Sequence, residues 1–217
     1  MYDNTNAVSI TRKTYDQIAS GYSARINELV SDSWVGEFER QLLDRFLQVN
    51  IISSPKILDI GCGNGKDTNY LRQKGAVPVG IDISSGMLKE AKKHIPKGIL
   101  CQMDMRILGF SNSVFDGVWA NGCIYHVPKI AIIQVLKEVV RVLKPLGIFP
   151  FNVKAGTGER LEKSPRSYGG GARFYAYYTI KEMRSFLRQA GFEVLETKEY
   201  PQKIFGEEIF HIWAQKP

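Results

Sequence analysis

Apolar positions follow two alternating spacings along the chain, which predict helices separated by short strands. Large apolar side chains recur at steps of three and four residues over 34–47, a pattern typical of an amphipathic helix. Seven short apolar runs typical of strands follow, at 56–60, 77–81, 98–103, 114–120, 148–153, 193–197 and 209–214. Because helical patterns lie between most of these runs, we predict an α/β fold in which helices cover both faces of a mostly parallel sheet.

Two of the helices carry their own start or stop signals. The helical pattern over 132–143 ends just before Pro145, which cannot continue a helix. The next helix begins at Thr179, where Glu182 completes a capping box, and it ends at Gly191. Only about a dozen polar and turn residues join the last two strands, so we expect them to form an antiparallel hairpin at one edge of the sheet.

Size and composition indicate one globular domain over residues 1–217, with a helical cap over about 1–50. The chain is 44% hydrophobic and 24% charged, which excludes a disordered or fibrous protein. It has no apolar run of about 18 residues, the length of a membrane span, and no secretory signal pattern, so we expect a cytoplasmic protein. Three scattered cysteines without a C-x-x-C pair predict neither a disulfide framework nor a metal site.

Positive charge is concentrated in one part of the chain. The formal net charge is +7, which favours nucleic acid or an anionic small molecule as partner. Most of this excess falls within residues 141–173. Residues 155–178 are basic and glycine-rich without any period, and we predict a lid-like loop there, either over a substrate or as a solvated surface segment.

A glycine-rich turn follows the first predicted strand. Residues 59–65 read Asp-Ile-Gly-Cys-Gly-Asn-Gly, and glycines at a strand-to-helix turn let the backbone approach a ligand closely. Asp82 ends the second strand, where a carboxylate can accept hydrogen bonds from both hydroxyls of a ribose. The two features predict a nucleoside cofactor. Lys66 stands where a dinucleotide-binding turn has its third glycine, which weakens the case for a nicotinamide cofactor.

Four segments resemble, in order, the motifs of the class I S-adenosylmethionine-dependent methyltransferases, in the small-molecule branch called methyltransferase type 11. They are residues 57–65, 80–84, 103–110 and 115–121. Weaker similarity at 15–22, 143–145 and 190–192 extends the resemblance over nearly the whole chain. It implies a Rossmann-like seven-stranded sheet of order 3-2-1-4-5-7-6 with one antiparallel strand, and methyl transfer from S-adenosylmethionine to a small molecule, with S-adenosylhomocysteine as product.

The resemblance also implies which residues contact the cofactor, mostly at the ends of the first four strands. These are Tyr15 and Tyr22 closing over the site, Asp59 at the methionyl ammonium, Gly61, Cys62 and Gly63 beside the methionyl portion, Asp82 at the ribose, Ile83, Asp104 and Met105 around the adenine, and Asn121 near the sulfonium.

Candidate catalytic and substrate residues come from the later part of the chain. His126 follows the fourth strand and is the candidate general base, because histidine titrates near neutrality; alternatively, it only structures its loop. Arg173, Tyr175 and Tyr178 are candidate substrate contacts and favour an acidic or phenolic acceptor. We expect Cys123 to be a buried structural cysteine.

Three positions depart from the family pattern, and other functions stay open. Gly109 and Leu146 replace a usual proline and glycine, and Pro150 falls inside the fifth strand, which we therefore expect to be bulged or shortened. The alternatives are an RNA-modifying methyltransferase, a non-catalytic cofactor-binding partner protein and an NAD-dependent oxidoreductase. Nucleic acid is the less favoured partner, because residues 121–124 lack the proline pair of enzymes that methylate planar amines. The sequence predicts no particular oligomeric state.

Overall fold

A mostly parallel sheet lies at the centre of the structure, a computed structural model that describes residues 4–31, 34–50, 52–163, 171–199 and 207–217. The helices are α1 (Asn4–Ser31), α2 (Trp34–Val49), α3 (Lys66–Gln73), α4 (Ser85–His94), α5 (Lys129–Val142) and α6 (Ile180–Ala190). The strands are β1 (Lys56–Ile60), β2 (Val77–Asp82), β3 (Ile99–Gln102), β4 (Phe115–Trp119), β5 (Leu143–Ala155), β6 (Glu159–Lys163), β7 (Ala172–Tyr178), β8 (Glu193–Glu199) and β9 (Ile209–Gln215).

The order of the strands confirms the predicted α/β topology. Neighbouring strands run β3-β2-β1-β4-β5 in parallel, and β9 continues the sheet antiparallel to β5, with β8 beyond it. When the seven predicted strands are numbered along the chain, this order is 3-2-1-4-5-7-6. The predicted antiparallel hairpin is the β8–β9 pair.

The strands β6 and β7 correct the prediction of a loop over 155–178. They pair antiparallel with each other, and β7 also continues in parallel from the end of β5. The sequence of β7 shows no two-residue strand period, because six consecutive positions are buried and its two faces do not alternate between apolar and polar residues. Residues 164–170 of the predicted lid lie outside the described residues.

The fifth strand is bulged but not shortened. Its register against β4 shifts between the pairs Phe115–Leu143 and Gly117–Ile148, which confirms the expected irregularity. The strand nevertheless extends over 13 residues. Pro150 is accommodated within it, and the Pro150 carbonyl accepts a hydrogen bond from the Ala120 amide at 3.2 Å.

Two apolar clusters hold the helices against the sheet. The larger cluster joins α5 and α6 to the central strands through side chains such as Leu136, Phe149 and Leu187, all fully buried. The smaller one joins α2 and α3 to the sheet through Phe46 and Leu71. Burial of this apolar surface gives the fold its main stabilisation.

The helix α1 is hydrogen-bonded along one side of β7. The Thr11 hydroxyl accepts from the Phe174 amide at 2.9 Å, and the Thr14 hydroxyl donates to the Ala172 carbonyl at 2.6 Å. Both threonines are buried. The helix thus satisfies backbone groups of β7 and is fixed in register with that strand.

The same helix also caps the start of α4. The Asp16 carboxylate accepts from the Ser84 hydroxyl at 2.7 Å and from the Gly86 amide at 2.9 Å. A Cβ atom at Gly86 would lie 2.8 Å from the Asp16 carbonyl oxygen, so glycine is needed for this approach. A carboxylate at a helix N-terminus satisfies free amides and favours the helix dipole.

We therefore expect Asp16→Ala to loosen α1 from α4, with a loss of about 1 kcal/mol in the free energy of unfolding. Amide hydrogen exchange in the second half of α1 should become faster. Asp16→Asn keeps an oxygen acceptor and serves as the matched control, with a smaller effect. Equal exchange in wild type and Asp16→Ala would show that these contacts do not hold the helix.

Candidate active site

The turns that follow β1 and β4 meet at the carboxyl edge of the sheet. Gly61 has a φ of 66°, and a Cβ atom there would lie 2.4 Å from the Cβ of Cys123. Only glycine fits this contact. The buried Cys123 thiol donates to the Ile60 carbonyl at 3.1 Å, which agrees with the structural role expected for this cysteine.

Asp82 lies at the end of β2 with both carboxylate oxygens turned to backbone amides. Gly63 donates to Oδ2 at 3.0 Å, and Ser84 donates to Oδ1 at 2.8 Å. Each carboxylate oxygen has two lone pairs, so both keep the capacity to accept from a diol. Burial raises the pKa of Asp82 to about 6, although the two amides favour its charged form.

Asp59 and Cys62 are buried beside the glycine turn. The Asp59 carboxylate accepts from the Thr68 hydroxyl, and burial together with the nearby Asp67 raises its pKa. Burial also raises the pKa of the Cys62 thiol, which makes this cysteine unreactive. In their ionised forms, two carboxyl groups at one sheet edge favour a ligand that carries positive charge.

Of the residues predicted to surround an adenine, Asp104 is already bound to another side chain. Asp104 accepts from Nε and Nη2 of Arg106, at 3.0 and 2.6 Å. This ion pair occupies acceptor capacity that the prediction gave to an adenine amine. Ile83 follows β2 with its carbonyl bonded to Gln102 at 3.1 Å, and Met105 packs partly buried against the core.

A polar network behind the edge fixes Asn121. Its amide nitrogen donates to Glu39 at 2.9 Å, and its oxygen accepts from Asn152. Asn152 in turn accepts from the Gly122 amide at 2.8 Å. Lys66 joins the network through an ion pair with Glu39 at 2.8 Å. The sequence did not indicate Glu39 or Asn152 as site residues, because only the folded structure brings them next to Asn121.

Five aromatic rings, from Tyr15, Tyr22, Tyr125, His126 and Tyr175, form what we call the aromatic cluster. Ring centroids of Tyr15 lie 5.4 Å from Tyr22 and 5.5 Å from His126, and His126 lies 4.8 Å from Tyr175. Tyr125 was not predicted and stacks edge-on against His126 at 4.9 Å. Burial raises the pKa of the Tyr22, Tyr125 and Tyr175 phenols, which are therefore neutral.

A directed chain of hydrogen bonds passes through the cluster. His126 Nδ1 lies 2.7 Å from the Phe174 carbonyl, which can only accept, so Nδ1 carries the ring proton. In the neutral ring Nε2 then accepts from the Tyr15 hydroxyl at 3.1 Å, and Tyr15 accepts from Nη1 of Arg173 at 3.2 Å. Burial, with smaller effects of Arg173 and Lys154, lowers the pKa of His126 to about 3.

Tyr178 lies apart from the other two candidate substrate residues. Side chains alternate between the faces of a strand, so Arg173 and Tyr175 share one face of β7 and Tyr178 lies on the other. Tyr178 is fully buried in the larger apolar cluster. We therefore leave it out of the proposed site.

Lys154 is a site residue that sequence reasoning missed. It is buried on β5, its Nζ lies 3.9 Å from the centre of the Tyr175 ring, and Glu207 lies 3.5 Å away. Burial lowers the pKa of Lys154. A lysine within the apolar run of β5 was the available signal.

No group of three or more His, Cys, Asp or Glu side chains in the described part of the chain could hold a metal ion. No helix in those residues is long and apolar enough to cross a membrane.

Comparisons with known proteins agree on one type of domain. Residues 58–151 match the family model described as a methyltransferase domain. An uncharacterized methyltransferase of Synechocystis is 37% identical over 111 residues, which cover 49% of this chain and 52% of that protein. The demethylmenaquinone methyltransferase of Symbiobacterium thermophilum is 31% identical, with 64% of this chain and 56% of that protein covered. The chain thus spans about half the length of these relatives.

A solved structure shows the same fold over the whole chain. The 1,6-didemethyltoxoflavin-N1-methyltransferase of Burkholderia thailandensis, solved with S-adenosylhomocysteine, has a TM-score of 0.74 at 21% identity. The match covers 100% of this chain and 91% of that one.

We expect His126 to stay neutral, with its proton on Nδ1, through the range of about pH 5 to 8 in which an ordinary histidine titrates. Nitrogen-15 chemical shifts of the ring in labelled protein measure both properties, with a histidine peptide as reference. Protonation of His126 within that range would contradict the assigned hydrogen-bond chain.

Proposed function

We propose that the chain is a class I S-adenosylmethionine-dependent methyltransferase that transfers the cofactor's methyl group to a small-molecule acceptor. The main support for the proposal is that two surfaces, one around the glycine turn and one formed by the aromatic cluster, meet at the carboxyl edge of the sheet. The glycine turn and Asp82 lie at the carboxyl edge of the sheet, and the aromatic cluster is joined to the same edge through Cys123 and the turn after β4. We also propose that the described residues form one domain with α1 and α2 as its cap.

The acidic side of this edge suits the cofactor. S-adenosylmethionine supplies a methyl group bonded to a positively charged sulfur. We assign Asp82 to the ribose hydroxyls, because both its oxygens keep acceptor capacity, and Asp59 to the positively charged methionyl end. The backbone of Gly61, Cys62 and Gly63 would lie beside that end.

The remaining cofactor assignments follow from position. Ile83 and Met105 would lie against the adenine. Asp104 would lie beside them, with its carboxylate bound to Arg106. Asn121 is held by Asn152 and would present its backbone carbonyl near the sulfonium. Tyr15 and Tyr22 would close over the site from α1.

The aromatic cluster supplies the acceptor side. Transfer of a methyl group needs an aligned nucleophile and exclusion of water, and closely packed, largely covered rings would orient an acceptor and limit the access of water. His126 acts here as a positioning residue and not as the general base. Its Nε2 already accepts from Tyr15, and its low pKa disfavours a protonated ring.

A nicotinamide cofactor fits the same edge less well. The pyrophosphate of a dinucleotide is bound by backbone amides and cations. The edge instead presents Asp59 and Asp82, and Lys66 is held by ion pairs with Glu39 and Asp67 at 2.8 and 2.6 Å.

Calorimetric titration with S-adenosylhomocysteine and with NADH tests the cofactor assignment. We expect binding of the first and none of the second. Asp82→Asn should weaken S-adenosylhomocysteine by about tenfold or more, because it removes a charged acceptor and places an amide against backbone N–H groups. Asp44→Asn, on the exposed part of α2, is the control and should bind like wild type. Unchanged affinity of Asp82→Asn would refute the assignment.

Binding should also depend on pH through Asp82. Its carboxyl is protonated below a pKa of about 6 in the free protein, whereas the bound ligand favours the ionised form. Protonation of Asp82 should therefore make affinity for S-adenosylhomocysteine about tenfold weaker near pH 5 than near pH 7. In Asp82→Asn this dependence should be flatter. An equally steep decrease of affinity in that variant would show that another group causes the pH dependence.

Methyl transfer itself is tested with methyl-labelled S-adenosylmethionine, a small-molecule extract and, in parallel, total RNA. We expect label in small molecules only when the protein is present. Label in RNA instead would overturn the small-molecule acceptor and favour the RNA-modifying alternative.

A further inference from the structure

Arg173 is a buried cation that has no carboxylate partner among the described residues. The residue is only 7% exposed. Its Nη1 donates to Tyr15, and its buried Nε has no hydrogen-bond partner among the described residues. No acidic side chain in that part of the chain forms an ion pair with it. An unpaired buried guanidinium is costly to the fold, which points to a ligand.

Two other arginines in the chain show what a guanidinium binds through Nε and Nη2. Arg106 donates from Nε to Oδ1 and from Nη2 to Oδ2 of Asp104, and Arg141 holds Glu138 through the same two nitrogens at 2.7 and 2.8 Å. This side-on arrangement places two parallel hydrogen bonds on the two oxygens of a carboxylate. The guanidinium of Arg173 lies beside the aromatic cluster, with its Cζ 5.4 Å from the centre of the Tyr15 ring and 5.7 Å from that of Tyr175.

Lys154 adds a second buried cation on the same side of β7. It is 8% exposed, and in the register of β5 with β7 it lies opposite Tyr177. Both cations contact the Tyr175 ring, Lys154 Nζ at 3.9 Å and Arg173 Cζ at 5.7 Å from its centre. The ring thus lies near two positive charges that come from different strands.

The acidic groups around these cations compensate only part of their charge. Glu207 lies 3.5 Å from Lys154. Glu162 is also near Lys154, but it is paired with Arg160 and accepts from the Tyr177 hydroxyl at 2.7 Å. One positive charge at the cluster is therefore left uncompensated among the described residues.

We propose that the methyl acceptor is a carboxylic acid whose carboxylate is bound by Arg173 and Lys154 beside the Tyr175 ring. The inference rests on the proposed function and names its substrate class. A carboxylate carries the single negative charge that the site lacks, whereas a phosphate ester carries nearly two at neutral pH. The neighbouring rings of Tyr125 and Tyr175, tilted by 31°, suit a flat apolar body on the acceptor.

Tyr15 lies against the guanidinium of Arg173. Its ring centre is 5.4 Å from the guanidinium carbon, and its hydroxyl accepts from Nη1. Tyr15 would therefore border a carboxylate bound to Arg173.

The test compares three small probes by calorimetry and ligand-observed NMR on the full chain. Benzoate carries the carboxylate, benzamide is its neutral isostere, and phenyl phosphate carries the larger charge. We expect benzoate to bind about tenfold or more tightly than benzamide and more tightly than phenyl phosphate. Equal binding of benzoate and benzamide, or no binding of benzoate, would overturn the proposal. Tighter binding of phenyl phosphate would reassign the site to phosphate.

Variants assign the binding to these two residues. Arg173→Met and Lys154→Met should each weaken benzoate by about tenfold or more with little change for benzamide. Arg173→Lys keeps the positive charge but lacks the pair of nitrogens that binds a carboxylate side-on. Its affinity for benzoate should lie between those of Arg173→Met and wild type. The control is Arg184→Met, an exposed arginine of α6 that bonds Thr197, and it should bind benzoate like wild type.

Folding and the proposed function are checked separately. Circular dichroism and thermal unfolding of Arg173→Met should show a folded protein at least as stable as wild type, because no protein carboxylate loses its partner. Wild-type affinity of a folded Arg173→Met for benzoate would contradict the proposal. Wild-type protein that binds benzoate but not S-adenosylhomocysteine would refute the proposed function and leave the carboxylate site standing.

Discussion

The site depends on how α1 is fixed above the carboxyl ends of the parallel strands. Hydrogen bonds from Thr11 and Thr14 align the helix with β7, and Asp16 attaches it to the start of α4. Tyr15 lies between these contacts, so its hydroxyl meets Arg173 and His126 at once. Without this docking, the cofactor edge and the aromatic cluster would have no common cover.

The charges divide the site into two halves that suit different ligands. Asp59 and Asp82 make the half proposed for the cofactor acidic, whereas Lys154 and Arg173 make the half proposed for the acceptor basic. A cofactor with a sulfonium and an anionic acceptor are each attracted to their own half. Burial, with a smaller effect of the same basic residues, lowers the pKa of His126, so its neutral ring can accept from the Tyr15 hydroxyl.

Local signals made most of the fold predictable from the sequence. The strands β1 to β5 and the β8–β9 hairpin are apolar runs bounded by turns, and Thr179 does accept from the Glu182 amide at 3.2 Å as the capping box predicts. The β6–β7 pair was missed because burial on both faces removes the alternation that identifies a strand. Lys154 was missed because only tertiary contacts give it its neighbours.

A crystal structure of the full chain with S-adenosylhomocysteine tests the account most directly. The account predicts the two ribose hydroxyls within hydrogen-bond distance of the Asp82 carboxylate, and the sulfur turned toward Tyr15 and the turn that carries Asn121. That arrangement would direct a transferred methyl group at the aromatic cluster. A ligand bound away from Asp82, or with its sulfur turned away from the cluster, would contradict the account.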